Sequence, residues 1–208
     1  MSLSPADIKQ YDDQAPPTDE TETATFALGC FWGPETQFGA LEGVVRTRVG
    51  YAGGTKSEPT YHDLGDHTEA LQVDYDPETR SFAELLEIVF RSHDPSRQTP
   101  TVQYQHIVFV ASTDQREALS SYLAANDLSG EAIETRIEPL SQFYLAETYH
   151  QKHSLRGRQS LIKPFEQAGY VDADIRESPA AAKCNAVAAG RELPEGHAFG
   201  DDSNRTVH

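Results

Sequence analysis

Cys30, in the run Gly29-Cys30-Phe31-Trp32-Gly33, is the residue of this chain whose type and setting best suit covalent chemistry. The apolar stretch Thr23-Ala24-Thr25-Phe26-Ala27-Leu28 reads as a strand, and Phe31, Glu35, Phe38 and Leu41 follow it at near-helical spacing. Cys30 would then lie where a strand passes into a helix, whose unpaired amides and positive end can stabilise a thiolate. Gly29 and Gly33 leave room for a substrate, while Phe31 and Trp32 offer two adjacent apolar faces. Trp32 is the sole tryptophan. Residue types and spacing leave two readings open: a nucleophilic thiol, or a small residue packed in a core together with Phe31.

The elements that must hold this site follow in order. Pro34 is tolerable in a first helical turn, where its missing amide costs nothing. Gly43 ends the helix, and Val44 to Tyr51 reads as a second strand. A loop from Ala52 to Thr68 leads to the alternating strand Glu69 to Tyr75. Ser81 and Glu84 make a capping box that opens a helix over Phe82 to Arg91. Ile107 to Ala111 is a strand, and Ser112 with Gln115 suggests a second capping box, for a helix to about Ala125. Ala132 to Leu140 reads as a strand and Ala146 to Leu155 as a helix. The order β-α-β-β-α-β implies an α+β fold, a ferredoxin-like (split βαβ) two-layer sandwich with extended N- and C-terminal segments.

Three segments are expected. Residues 1 to 22, rich in Asp, Glu, Thr and Pro, read as a flexible acidic arm. Residues 23 to 163 form the catalytic domain. Residues 164 to 208 read as a polar extension with one short helical signal, from Ser178-Pro179 to Gly190, carrying Cys184.

The chain has 208 residues, 38% of them hydrophobic, enough for one sizeable core. Its formal charge is −16, and of its 17 basic residues only five are lysines. Such a surface repels phosphate backbones and anionic membranes, so nucleic acid is not an expected partner. It suits a salt-rich cytoplasm, where self-repulsion is screened; on that halophilic reading the melting temperature rises with molar salt. No apolar run is long enough to span a bilayer, and the first residues lack the features of a signal peptide. A cytoplasmic monomer is expected, whose two cysteines make no secreted-type disulfide framework. His62, Asp63, Asp66 and His67, and separately His150 and His153, have no recognised ligand spacing, so solvated loops rather than a metal site are expected.

The run Gly29-Cys30-Phe31-Trp32-Gly33-Pro34-Glu35 resembles the signature of the methionine sulfoxide reductase A family. The likeness continues through Gly50-Tyr51-Ala52-Gly53-Gly54, Pro59-Thr60-Tyr61, His67-Thr68-Glu69, Val73-Asp74-Tyr75-Asp76-Pro77, His93-Asp94-Pro95 and Gln103-Tyr104. It closes with Ala146-Glu147-Thr148-Tyr149-His150-Gln151.

The resemblance implies that Cys30 attacks a sulfoxide sulfur, releases methionine and is left as a sulfenic acid. It gives Glu69 the part of general acid toward the sulfoxide oxygen, which requires a desolvated, protonated carboxyl. Tyr61 and Tyr104 would hydrogen-bond that oxygen. Phe31 and Trp32 would hold the S-methyl group, and the S epimer would be preferred. Substrates would be oxidised proteins or peptides, with the free amino acid a further candidate. No metal or organic cofactor is implied, only an external reductant such as thioredoxin or a dithiol.

The sequence departs from the family pattern at Thr99, where an aspartate is usual, at Gln105-His106, and in shortened loops before Glu69 and before Tyr104. The glycine-rich stretch that holds resolving cysteines in many relatives is absent, so Cys184 is a candidate partner for Cys30 only as the other thiol present. Without it, thioredoxin or a small thiol would reduce Cys30 directly. Two competing functions remain: a thiol peroxidase, and a non-catalytic binder of oxidised methionine.

Overall fold

The computed structural model describes residues 3–128 and 133–194. Six strands form one mixed sheet: β1 (Glu22–Leu28), β2 (Val44–Ala52), β3 (Thr68–Tyr75), β4 (His106–Val110), β5 (Arg136–Pro139) and β6 (Phe143–Leu145). Their order is β5-β4-β1-β3-β2-β6. All neighbouring pairs are antiparallel except β4 with β5. The protein is thus α+β, with β3 inserted between β1 and β2 and antiparallel to both.

The period of two along each strand divides the core. Ala24 and Phe26 of β1, Val49 and Tyr51 of β2, Leu71, Val73 and Tyr75 of β3, and Val108 and Val110 of β4 share one apolar cluster. Their alternates Ala27, Ala52, Ala70, Ile107 and Phe109 share another. The first face is covered by α2 (Trp32–Gly39), α3 (Phe82–Arg91) and α4 (Thr113–Ala125), which contribute Phe38, Leu85, Leu86, Val89 and Leu119. Glu69 has the parity of Leu71 and Val73, so it faces the layer that contains α2. The capping box at Ser81 and Glu84 is present, Ser81 N donating to Glu84 Oε2 at 2.7 Å. Gln115 instead spans two elements: its Oε1 accepts from Ala111 N and its Nε2 donates to Thr23 O.

The outer segments differ from expectation. Residues 5 to 14 of the supposed mobile arm form α1 (Pro5–Gln14), capped by Ser4 and anchored by fully buried Ile8. An acidic composition hid this helix, because it docks through few apolar residues, Ile8 with Leu3 and Tyr11 beside it, and through Asp12 accepting from Ala180 N and Tyr170 Oη. Beyond residue 156 come α6 (Gln159–Gln167), α7 (Asp172–Glu177) and α8 (Pro179–Ala188), and nine of the ten residues of α8 are buried. Alanine-rich α8 fits closely on α2: a Cβ on Gly39 would come within 2.7 Å of Ala182 O, so only glycine permits this approach. Ala146 to Leu155 is not a helix; turns lead from β6 to the short α5 (His153–Arg156). Gln151 explains this, since its side chain pairs with both backbone groups of Val49 and continues the sheet edge beside β6. The expected strand from Ala132 is seen from Arg136; Ala132 itself lies outside the described residues, as do residues 195–208 of the extension.

Candidate active site

The chain enters α2 through Gly29, whose φ of +77° lies in the left-handed region that glycine tolerates. This turn leaves Cys30 exposed at the helix start, with the Trp32 amide donating to its sulfur. The preceding amide, Phe31 N, donates to Glu69 Oε2 at 3.0 Å. Two consecutive orphan donors of the helix start therefore serve the thiol and the carboxyl.

Glu69 begins β3 and is 2% exposed. Burial raises its proton affinity above the usual carboxylate range, opposed by hydrogen bonds from Gln103 Nε2 at 2.8 Å and from Phe31 N. The Cys30 thiol is also pushed up, first by desolvation, with the Trp32 amide opposing and the charge of Glu69 adding to the rise. Desolvation therefore opposes the stabilisation that the helix start offers a thiolate.

Tyr104 lies at the end of a single 3-10 turn, Val102–Tyr104, tied to β3 by Thr68 Oγ1 donating to Val102 O at 2.8 Å. Burial raises its phenol's pKa, with further contributions from Glu69, Tyr61 and Cys30. Tyr61 is held by its own amide, which donates to Glu147 Oε1 at 2.9 Å, while Tyr51 Oη donates to Glu147 Oε2 at 2.7 Å. The structure therefore gathers Cys30, Glu69, Tyr61 and Tyr104 into one group.

The two aromatics separate. Phe31 is 2% exposed and packs in the core against Tyr51 and His150. Trp32 is half-buried, its indole stacked on His153 with centroids 3.8 Å apart and planes within 5°. Of the pair, Trp32 is the one with surface toward solvent.

Cys184 does not join the group. It is 1% exposed, clustered with Ile8, Leu155, Ile162, Phe165, Ile175, Ala180 and Ala181, and desolvation together with the charge of Asp12 pushes its thiol up to about 12. Thr99 serves the loop: its Oγ1 accepts from Thr101 N and its carbonyl from Gln105 Nε2. Gln98 staples the same loop, bonding both backbone groups of His106.

Gln103 and Glu147 were not singled out as functional from the sequence, although both lie inside the quoted motifs beside Tyr104 and before His150. Their roles are contacts across 34 and 86 positions, which linear spacing does not encode. Among the described residues no group of three or more His, Cys, Asp or Glu is arranged to hold a metal ion, and no helix is long and apolar enough to cross a membrane.

A mixed α+β sheet that presents a cysteine, a buried carboxyl and two phenols at the start of one helix defines a thiol oxidoreductase. Residues 22–176 match the family described as peptide methionine sulfoxide reductase, and the chain belongs to that family. The peptide methionine sulfoxide reductase of Drosophila melanogaster is 41% identical over 171 residues, covering 81% of this chain and 68% of the relative. An MsrA protein of Haloquadratum walsbyi is 42% identical, covering 64% of this chain and 82% of the relative. The crystal structure of reduced Mxr1 from Saccharomyces cerevisiae is 31% identical with a TM-score of 0.58, covering 66% of this chain and 85% of that one. Methionine sulfoxide reductase A of Corynebacterium diphtheriae gives 35% identity and a TM-score of 0.54, covering 64% and 74%.

Proposed function

We propose that this protein is a peptide-methionine (S)-S-oxide reductase that returns methionine sulfoxide in proteins to methionine. The observation that carries the reading is Glu69: a buried carboxyl with raised proton affinity, held by Phe31 N next to Cys30. A carboxyl that holds its proton more tightly than usual can deliver it to the sulfoxide oxygen as the S–O bond breaks. Cys30 sulfur attacks the sulfoxide sulfur; the protonated oxygen then passes to Cys30 sulfur as the S–S bond breaks, so Cys30 is oxidised to the sulfenic acid while the substrate sulfur is reduced to the thioether. The proton leaving the thiol restores the carboxyl, so the step consumes no net proton. The phenols of Tyr61 and Tyr104 hydrogen-bond the oxygen as charge develops on it. Trp32, next to the buried Phe31, supplies apolar contact for the S-methyl group, and this fixed arrangement of methyl and oxygen favours the S epimer.

Two external thiols, from thioredoxin or a small dithiol, then reduce the sulfenic acid to thiol and water while forming their own disulfide. The burial of Cys184 supports this direct route over an internal disulfide, which would require α8 to move. No prosthetic group is assigned. We read β4-β1-β3-β2 with α2 and α3 as a ferredoxin-like split βαβ unit within a catalytic domain spanning 23–163. The strand order and antiparallel pairing support that reading. Helices α1 and α8 brace the catalytic domain, and a cytoplasmic setting fits two free thiols.

The test is dithiothreitol-driven reduction of a methionine sulfoxide peptide, as separate S and R epimers, by wild type, Cys30→Ser and Glu69→Gln. Turnover of the S epimer by wild type and its loss in Cys30→Ser are expected. Full activity in Cys30→Ser would overturn the assignment.

A further inference from the structure

Lys152 is a lysine in the left-handed region, φ 53° and ψ 45°, a conformation that non-glycine side chains adopt rarely and at a cost. What holds it there is a fully buried ion pair. Lys152 Nζ donates to Glu35 Oε1 at 3.0 Å and to Arg176 O at 3.1 Å, and Lys152 N donates to Glu35 Oε2 at 3.1 Å. Both side chains are 0% exposed. Asn185 of α8 adds a bond to the same carboxylate at 3.2 Å. Glu35 belongs to α2, one turn beyond Phe31, whose carbonyl accepts from Glu35 N at 3.0 Å. The pair therefore fastens the Lys152 turn directly to the catalytic helix.

The residue that this turn delivers is His153, an exposed imidazole lying flat on the Trp32 indole at 3.8 Å and 5°. His150, two positions before Lys152, flanks the same indole at 5.7 Å and 40°. A lone exposed histidine has no reason to adopt one orientation, since burial contributes little to it. Here a strained turn, a buried ion pair and a parallel stack converge on one side chain.

We propose that His153 is a positioning residue for the reaction, whose imidazole sets the plane of the Trp32 indole that receives the substrate's methyl group. This rests on the reading of Trp32 in the proposed function. A flat ring on one face of the indole removes its freedom to swing, so the substrate meets a preformed apolar wall and spends no binding energy ordering it. Any planar ring at position 153 does this; a branched aliphatic side chain covers the indole without fixing its plane.

The experiment compares wild type with His153→Ala, His153→Phe and His153→Leu. It uses S-epimer peptide kinetics and the emission of Trp32, the only tryptophan in the chain. In His153→Ala, KM rises about two- to tenfold, the range set by one aromatic pair, with kcat nearly unchanged, and emission moves to longer wavelength. His153→Phe returns both readouts to wild type, and His153→Leu does not. If the alanine variant fails to fold, the Phe and Leu variants carry the comparison. Equal KM in those two variants overturns the proposal, as does unchanged KM and emission in the alanine variant. A wild type that turns over no sulfoxide defeats the functional reading instead, and the emission shift still reports whether the stack orders Trp32.

Discussion

The two cysteines of this chain occupy opposite environments, and the difference shows how position governs a thiol. Cys30 stands at the start of α2 with an exposed edge, an amide donating to its sulfur and a protonatable carboxyl beside it. Cys184 lies inside α8 among aliphatic side chains, with burial and the charge of Asp12 both raising it, to about 12. Desolvation pushes both thiols up, so a raised pKa does not separate them. Access and the company of Glu69 do. A thiol buried among apolar side chains, out of reach of substrate, is packing material, whatever its intrinsic chemistry.

Substitutions can break or sharpen this contrast. The largest effect is expected for Cys30→Ser, a loss of about 10³-fold or more in peptide turnover, measured with dithiothreitol. Next is Glu69→Gln, with a loss of about 10²- to 10³-fold in kcat. Wild-type activity depends on the protonated carboxyl, so it falls as pH rises through the raised pKa of Glu69; the Gln variant lacks that limb of the profile. Stability has the same sign. The folded state holds this proton more tightly than the unfolded chain, so stability declines as pH rises from the ordinary carboxylate range through the raised value. Glu69→Gln removes that decline, and its urea midpoint at neutral pH is expected at or above wild type.

Tyr104→Phe removes one of two phenols and is expected to lower kcat about 10²-fold, with KM little changed. The smallest effect on activity belongs to Cys184→Ala, with dithiothreitol-driven turnover near wild type and a stability loss of about 1 kcal/mol by urea denaturation from the small void. A loss of turnover in Cys184→Ala as large as in Cys30→Ser would erase the contrast. Alkylation of the native protein followed by mass measurement gives an independent check: one modified thiol is expected, at Cys30.

The central strands and helices were legible because their patterns are local. Alternation in β3, the capping box before α3 and the glycine after α2 each act within a few residues. Legibility failed where a contact over long separation decided the structure. The turn at Lys152 depends on Glu35, 117 positions away, and α1 depends on Asp12 accepting from Ala180 N, 168 positions away. The site followed the same rule. Cys30, Glu69, Tyr61 and Tyr104 could be named from short motifs, whereas Gln103 and Glu147 act through bonds that only the folded chain creates. The thiol's proton affinity is legible only in part for a related reason. A helix start is visible in sequence, but the desolvation that opposes it is a property of the assembled pocket.

The amides of Phe31 and Trp32, which hold the carboxyl and the sulfur, belong to adjacent peptide units. Their separation is set by one backbone torsion, the ψ of −13° at Phe31, rather than by side-chain rotamers. The Glu69 carboxyl, carried on β3, and the Cys30 sulfur thus lie against one short stretch of backbone, and the Phe31 N bond that registers the carboxyl is lost if the first turn of α2 unwinds. Registration of the two groups, which many enzymes reach only by closing a lid, here begins with the backbone of three consecutive residues.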